Sequence, residues 1–122
     1  MRPQSLLALA IACSWAAAAQ QTFKAPDEAK ERARLAAEHH KAKAAFVKNP
    51  NDRTVRRRYV EATVAYGNAV MLSPNLLPRE KYPRALRLFR EALKHDPEHR
   101  QAKAHKAMIE DIYKSMGRPV PN

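Results

Sequence analysis

Tyr82-Pro83-Arg84-Ala85-Leu86-Arg87-Leu88-Phe89-Arg90-Glu91-Ala92-Leu93-Lys94-His95-Asp96-Pro97 carries apolar residues at helical spacing and ends on a helix-breaking proline. Ala85, Phe89 and Ala92 fall at offsets of four and three, so they share one face of a helix, and Tyr82, Leu86 and Leu93 widen that face. Small alanines beside one large ring accept a second helix at short range. Such an element is half of a helical hairpin, and it needs neighbours to bury its stripe. The pattern points to packing and scaffolding ahead of reaction chemistry.

Three more helices are predicted around it. The first runs over 26–47, with Pro26 suited to a first helical position and Asp27, Glu28 and Glu31 suited to the positive end of the dipole. Its apolar residues are mostly alanines, which favour helix but bury little area. Asn49-Pro50-Asn51-Asp52 makes a turn, with Asp52 as the cap of a second helix over 54–72. There Tyr59, Ala62, Thr63, Tyr66, Ala69 and Val70 follow the rhythm of a buried stripe, while Arg56, Arg57 and Arg58 oppose the dipole. Leu76 and Leu77, in the connection to the third helix at 79–95, are expected to fold back onto the hairpin. Pro83 is expected in that helix's first turn or at the break after a short leading turn. The fourth helix covers 98–115 and presents Ala102, His105, Ile109, Ile112, Tyr113 and Met116; Gly117 caps it, and 117–122 read as a loose tail.

At 122 residues the chain has room for one small domain. Arg2, the run Leu6 to Ala12 and the small residues Ala16 to Ala19 read as a signal peptide over 1–19, followed by a flexible stretch over 20–25 and a helical domain over 26–116. The apolar run falls short of the roughly 20 residues of a membrane span. An uncleaved anchor or a buried N-terminal helix is the alternative. Leu9-Ala10-Ile11-Ala12-Cys13 also loosely resembles a lipoprotein processing site, which would lipidate Cys13, although Ala10 stands where a larger residue is usual. Cleavage near Ala19 would leave no cysteine for a disulfide or a thiolate metal site. It would remove one charge, Arg2, from a net +11. So basic a chain is attracted to an acidic protein, an anionic membrane surface or a nucleic acid, and export argues against the last.

The sequence resembles the tetratricopeptide repeat family. Ala85, Phe89, Ala92 and Pro97 match the second half of that motif, with Tyr82 in a commonly apolar place; Tyr59, Ala62, Thr63 and Tyr66 match the first half more loosely, tyrosine replacing tryptophan and threonine replacing glycine or alanine. Pro50 and Pro97 lie 47 residues apart, where the family repeats about every 34. The preceding unit is degenerate, with Glu38 and Ala42 in the places of the alanine and the aromatic, and one helix after Pro97 stands as a cap. The resemblance implies an all-α fold of antiparallel helical hairpins, a right-handed solenoid fragment of about four helices. Because about three repeats are usually needed for stability, it also implies completion by a homo-oligomer or a larger complex.

Reaction chemistry is hard to place. His39 and His40 are adjacent and face different ways, His95 and His99 are separated by Pro97, and His105 lies beside an apolar stripe. There is no carboxylate pair, no nucleophile with a base and no glycine-rich phosphate loop, since after residue 19 the only glycines are Gly67 and Gly117. The expectation is a protein without catalytic, metal or cofactor residues. Arg84, Arg87, Glu91 and Lys94, with Arg90 beside them, are expected to form an outward ridge. Partner contacts are expected from Arg57, Glu61, Asn68, Lys103, Lys106 and Glu110, which project from the second and fourth helices without joining a stripe. The leading reading is an exported interaction module, adaptor or accessory subunit of a bacterial envelope complex, whose partner is an acidic or membrane-associated protein. The alternatives are an electrostatic binder of an anionic polymer or membrane surface, and a purely structural subunit of a larger assembly.

Overall fold

The computed structural model describes residues 25–122. The expected signal peptide at 1–19, Cys13 and the stretch 20–24 lie outside the described residues, and Ala25 already belongs to a helix. Four helices and no strand occur among the described residues: α1 Ala25–Lys48, α2 Arg53–Met71, α3 Pro78–His95 and α4 Arg100–Ser115. Their bounds lie within two residues of the expected ones. None of them is long and apolar enough to cross a membrane.

The helix ends explain the bounds. Asp52 accepts hydrogen bonds from the backbone N–H groups of Thr54 and Val55 at 2.8 and 3.1 Å, as an N-cap carboxylate should. α3 has no side-chain cap but starts on Pro78, whose missing N–H costs nothing there. α3 also continues unbroken through Pro83, which therefore lies in the second turn, where it removes one ladder hydrogen bond; neither expected placement of Pro83 holds. α4 ends in a Schellman turn: Gly117 takes φ 65°, its N–H reaches the Lys114 carbonyl, and the Arg118 N–H reaches that of Tyr113 at 3.0 Å.

Each helix packs on the next, α1 on α2, α2 on α3 and α3 on α4. Phe46 meets Tyr59 while His39 meets Tyr66, so α1 and α2 are antiparallel. By the same logic His39 to Glu91 and Phe46 to His95 make α1 and α3 run in parallel. Glu61 to His99 and Asn68 to His105 do so for α2 and α4. The result is two parallel pairs, α1 with α3 and α2 with α4, interleaved as successive hairpins.

The core lies where α2, α3 and α4 meet. Val60, Val64, Val70 and Met71 of α2, Ala85, Leu86, Leu88, Phe89 and Ala92 of α3, and Ala102 and Ile109 of α4 form one buried cluster. Fully burying a side chain such as Phe89 or Leu86 contributes about 1.5–3 kcal/mol. α2 is covered on two sides, so its buried set exceeds the single stripe expected: Tyr59, Thr63 and Val70 are joined by Val60, Val64, Gly67 and Met71, while Ala62, Tyr66 and Ala69 are only half-buried. Gly67 marks the closest approach, since a Cβ there would stand 2.8 Å from a ring carbon of Phe89. The expected small residue of that seam, Thr63, is also fully buried, its hydroxyl donating to the Tyr59 carbonyl at 2.7 Å.

Two loop expectations change. Leu76 does pack against the core, but Leu77 remains 49% exposed. The tail expected to be loose returns onto α3, because the Schellman turn reverses the chain: Val120 packs against the core and Arg90 donates to the Pro121 carbonyl at 2.8 Å.

Candidate functional site

The side chains expected to meet a partner divide by what already holds them. Glu61 accepts from His99 Nε2 at 3.1 Å, and Asn68 Oδ1 accepts from His105 Nδ1 at 2.7 Å, so both link α2 to α4. Lys106 pairs with Glu110 at 2.8 Å along α4, and Lys103 lies 3.4 Å from Glu98. Arg57 is exposed. The structure thus uses Glu61 and Asn68 to hold α2 against α4, while Lys103, Lys106 and Glu110 pair along α4 and its approach.

His99 does two tasks there. Its Nδ1 accepts from the Ala102 N–H at 3.2 Å and so caps α4, which requires the ring proton on Nε2, where it is donated to Glu61. His105 stands edge-on to Phe89 at a centroid distance of 5.4 Å, tying the polar contact to the core beneath. In the sequence His99 reads only as half of a poor ligand pair with His95, so its capping role is not expected. The available signal was its place three residues before Ala102, at the start of a helix that has no acidic residue in its first turn.

A second polar group joins α1, α2 and α3. One oxygen of Glu91 accepts from Tyr59 Oη and from His39 Nε2 at 3.2 Å, with Lys43 Nζ at 3.4 Å. Burial pushes the Glu91 carboxyl up, but the hydrogen bond from Tyr59, the charge and hydrogen bond of His39 and the charge of Lys43 outweigh it and hold the group below its ordinary value. Burial, then the bond to Glu91 and its negative charge, push the Tyr59 phenol well above its ordinary value, which keeps it a hydrogen-bond donor. The rings of Phe46, Tyr59 and His95 meet beside the group in tilted and edge-on contacts, with centroids 4.8 to 5.3 Å apart. Glu91 therefore leaves the outward ridge expected of it, and Arg90 leaves it for the tail; Arg84, Arg87 and Lys94 stay exposed.

A third group pins the start of α1 to the α2–α3 connection. Arg32 pairs with Glu28 and donates to the Oγ of the buried Ser73 at 2.9 Å; Asn75 donates to Glu28 at 2.6 Å, and Lys81 donates to the Ser73 carbonyl at 3.0 Å. Two of these links, Arg32 to Ser73 and Asn75 to Glu28, join residues 41 and 47 positions apart, and each member alone reads as a solvated polar residue.

The remaining motif residues lie where helix packing needs them. Ala85, Phe89 and Ala92 are fully buried, Tyr82 is half-buried beside them, and Pro97 is exposed in the α3–α4 turn. Among the described residues no three histidine, cysteine, aspartate or glutamate side chains gather as they would around a metal ion. No family model matches the chain, and neither the characterised proteins nor the solved structures compared with it include a significant match.

Proposed function

We propose that this chain is a non-catalytic protein–protein interaction module of the tetratricopeptide type, exported to the periplasm or envelope and serving as an adaptor or accessory subunit of an envelope complex. The observation that carries the reading is the α2–α3 seam: Ala85, Phe89 and Ala92 are fully buried against α2 at the spacing of that repeat. The interleaving of α1 with α3 and of α2 with α4 supports it, because stacked hairpins place alternate helices side by side. Export rests on the signal-like composition of residues 1–19. The α2–α4 face is the surface offered to a partner, with Arg57, Lys103, Lys106 and Glu110 as its contacts and with Glu61 and Asn68 fixing its shape.

The test is affinity capture from an envelope fraction on residues 20–122, washed at low and at high salt. One stoichiometric protein retained at high salt, and lost with Arg57→Ala or Lys103→Ala, is the expected result. A second reading, electrostatic binding to an anionic surface, is favoured by the exposed Arg84, Arg87 and Lys94 together with the net +11 charge. It predicts acidic material of mixed identity that washes away as salt rises. Equimolar co-assembly with no fold in isolation would instead mark a purely structural subunit.

A further inference from the structure

Where α3 begins and α4 ends, the two antiparallel helices leave a cleft of about 420 Å³ between them. Leu77, Tyr82, Tyr113 and Met116 line it, and Arg79 and Arg118 stand among them. Leu77 and Met116 are 49% and 51% exposed, an unfavourable state for two large apolar side chains so close together. Both arginines are exposed, and neither forms an ion pair or side-chain hydrogen bond with any described residue. The cleft is separate from the α2–α4 face, to which none of these six residues belongs.

We infer that this cleft is a peptide-docking site, and that its occupant is a segment of a partner protein carrying a bulky apolar or aromatic side chain next to an aspartate or glutamate. The inference rests on the proposed role as an interaction module and adds to it a second contact of defined chemistry. Three features select that occupant. The lining joins tyrosine, methionine and arginine without lysine, aspartate or glutamate, which is the composition of the buried centre of protein interfaces. An arginine fork binds a carboxylate through two parallel hydrogen bonds, so two free forks beside an apolar floor complement an acidic group attached to an apolar one. The chain's own leader is a poor occupant, because the first acidic residue is Asp27. An anionic membrane surface is recognised instead by clusters of four or more basic residues on an exposed face, and a concave site with two arginines does not present one.

The test uses the full chain and a random peptide library displayed on phage. Selected sequences are expected to place a carboxylate beside Trp, Phe, Leu or Met. Measured by fluorescence anisotropy with the selected peptide, Arg79→Ala and Arg118→Ala are each expected to weaken binding about tenfold. Lys48→Ala, an exposed charge on α1, should change it less than about twofold. Tyr113→Ala should abolish binding, but Tyr113 packs against the core, so the two exposed arginines carry the decision. Selected peptides that ignore Arg79 and Arg118 but respond to Arg57→Ala or Lys103→Ala overturn the cleft and leave the α2–α4 face standing. A library that yields no binder overturns the cleft and leaves the α2–α4 face to be decided by the affinity capture. Phosphatidylglycerol vesicles that bind through Arg79 and Arg118 while no peptide does assign the cleft to lipid and overturn the peptide inference.

Discussion

Gly67 and Phe89 set the distance between α2 and α3. Alanine is the better helix former by about 1 kcal/mol, so on an exposed helix Gly67→Ala would stabilise. Here the added methyl would stand 2.8 Å from a Phe89 ring that is fully buried and has nowhere to move. The variant is expected to lose about 1–3 kcal/mol in a urea melt, and a gain would show that the seam is loose. Glu91 supplies the second residue-scale prediction. Its carboxyl is held below its ordinary value of 4.5 in the folded state, so the stability it contributes is present above that pH and is lost as pH falls through the lower folded value. Glu91→Gln is therefore expected to flatten the loss of stability on acidification below about pH 4.5, as read from melts across that range. The seam is half legible in the sequence: Phe89, Ala85 and Ala92 announce themselves by spacing, whereas Gly67, which holds the closest approach, reads only as a glycine too isolated to form a phosphate loop. The Glu91 group was not legible, because a glutamate among arginines on a helix reads as one more solvated charge.

At the scale of the element, α4 depends on a histidine cap and on polar links to α2. His99→Ala removes the acceptor for the Ala102 N–H and the bond to Glu61, and is expected to cost about 1 kcal/mol. Hydrogen exchange should locate the effect, with amides of the first α4 turn losing protection while those of α3 keep theirs. The four helices themselves were readable, since each is bounded by proline-bearing or capped turns that act locally. What escaped was the double-sided burial of α2, because a period of 3.6 reports one face and cannot tell that a helix has neighbours on two. The tail shows the complementary failure. Residues 117–122 look mobile by composition, but the Gly117 turn aims them at α3, and deletion of 119–122 is expected to cost about 1–2 kcal/mol through Val120 and the Arg90 bond. A melt unchanged by the deletion would mean that the tail rests on the surface without contributing.

For the molecule as a whole, charge is the largest unbalanced quantity. With a net +11, self-repulsion opposes compaction and salt relieves it. Raising salt from about 0.01 to about 1 M is expected to raise the melting temperature by several degrees. A fall would mean that the ion pairs of Glu28, Glu91 and Glu110 outweigh the repulsion. The stacking of hairpins could be read from the order of the elements, but the side-by-side pairing of alternate helices could not, since His39 with Glu91 and His99 with Glu61 join positions far apart and polar. α1 sits apart in this scheme. None of its side chains from Asp27 to Lys48 is fully buried, and it is held by the Glu28–Arg32–Ser73 group, by His39 to Glu91 and by Phe46. Tension applied through the chain ahead of Ala25 would therefore reach a row of polar fasteners before it reached the core. The fasteners would release in succession, turn by turn, so α1 would unreel as slack and absorb mechanical load while α2, α3 and α4 stayed assembled.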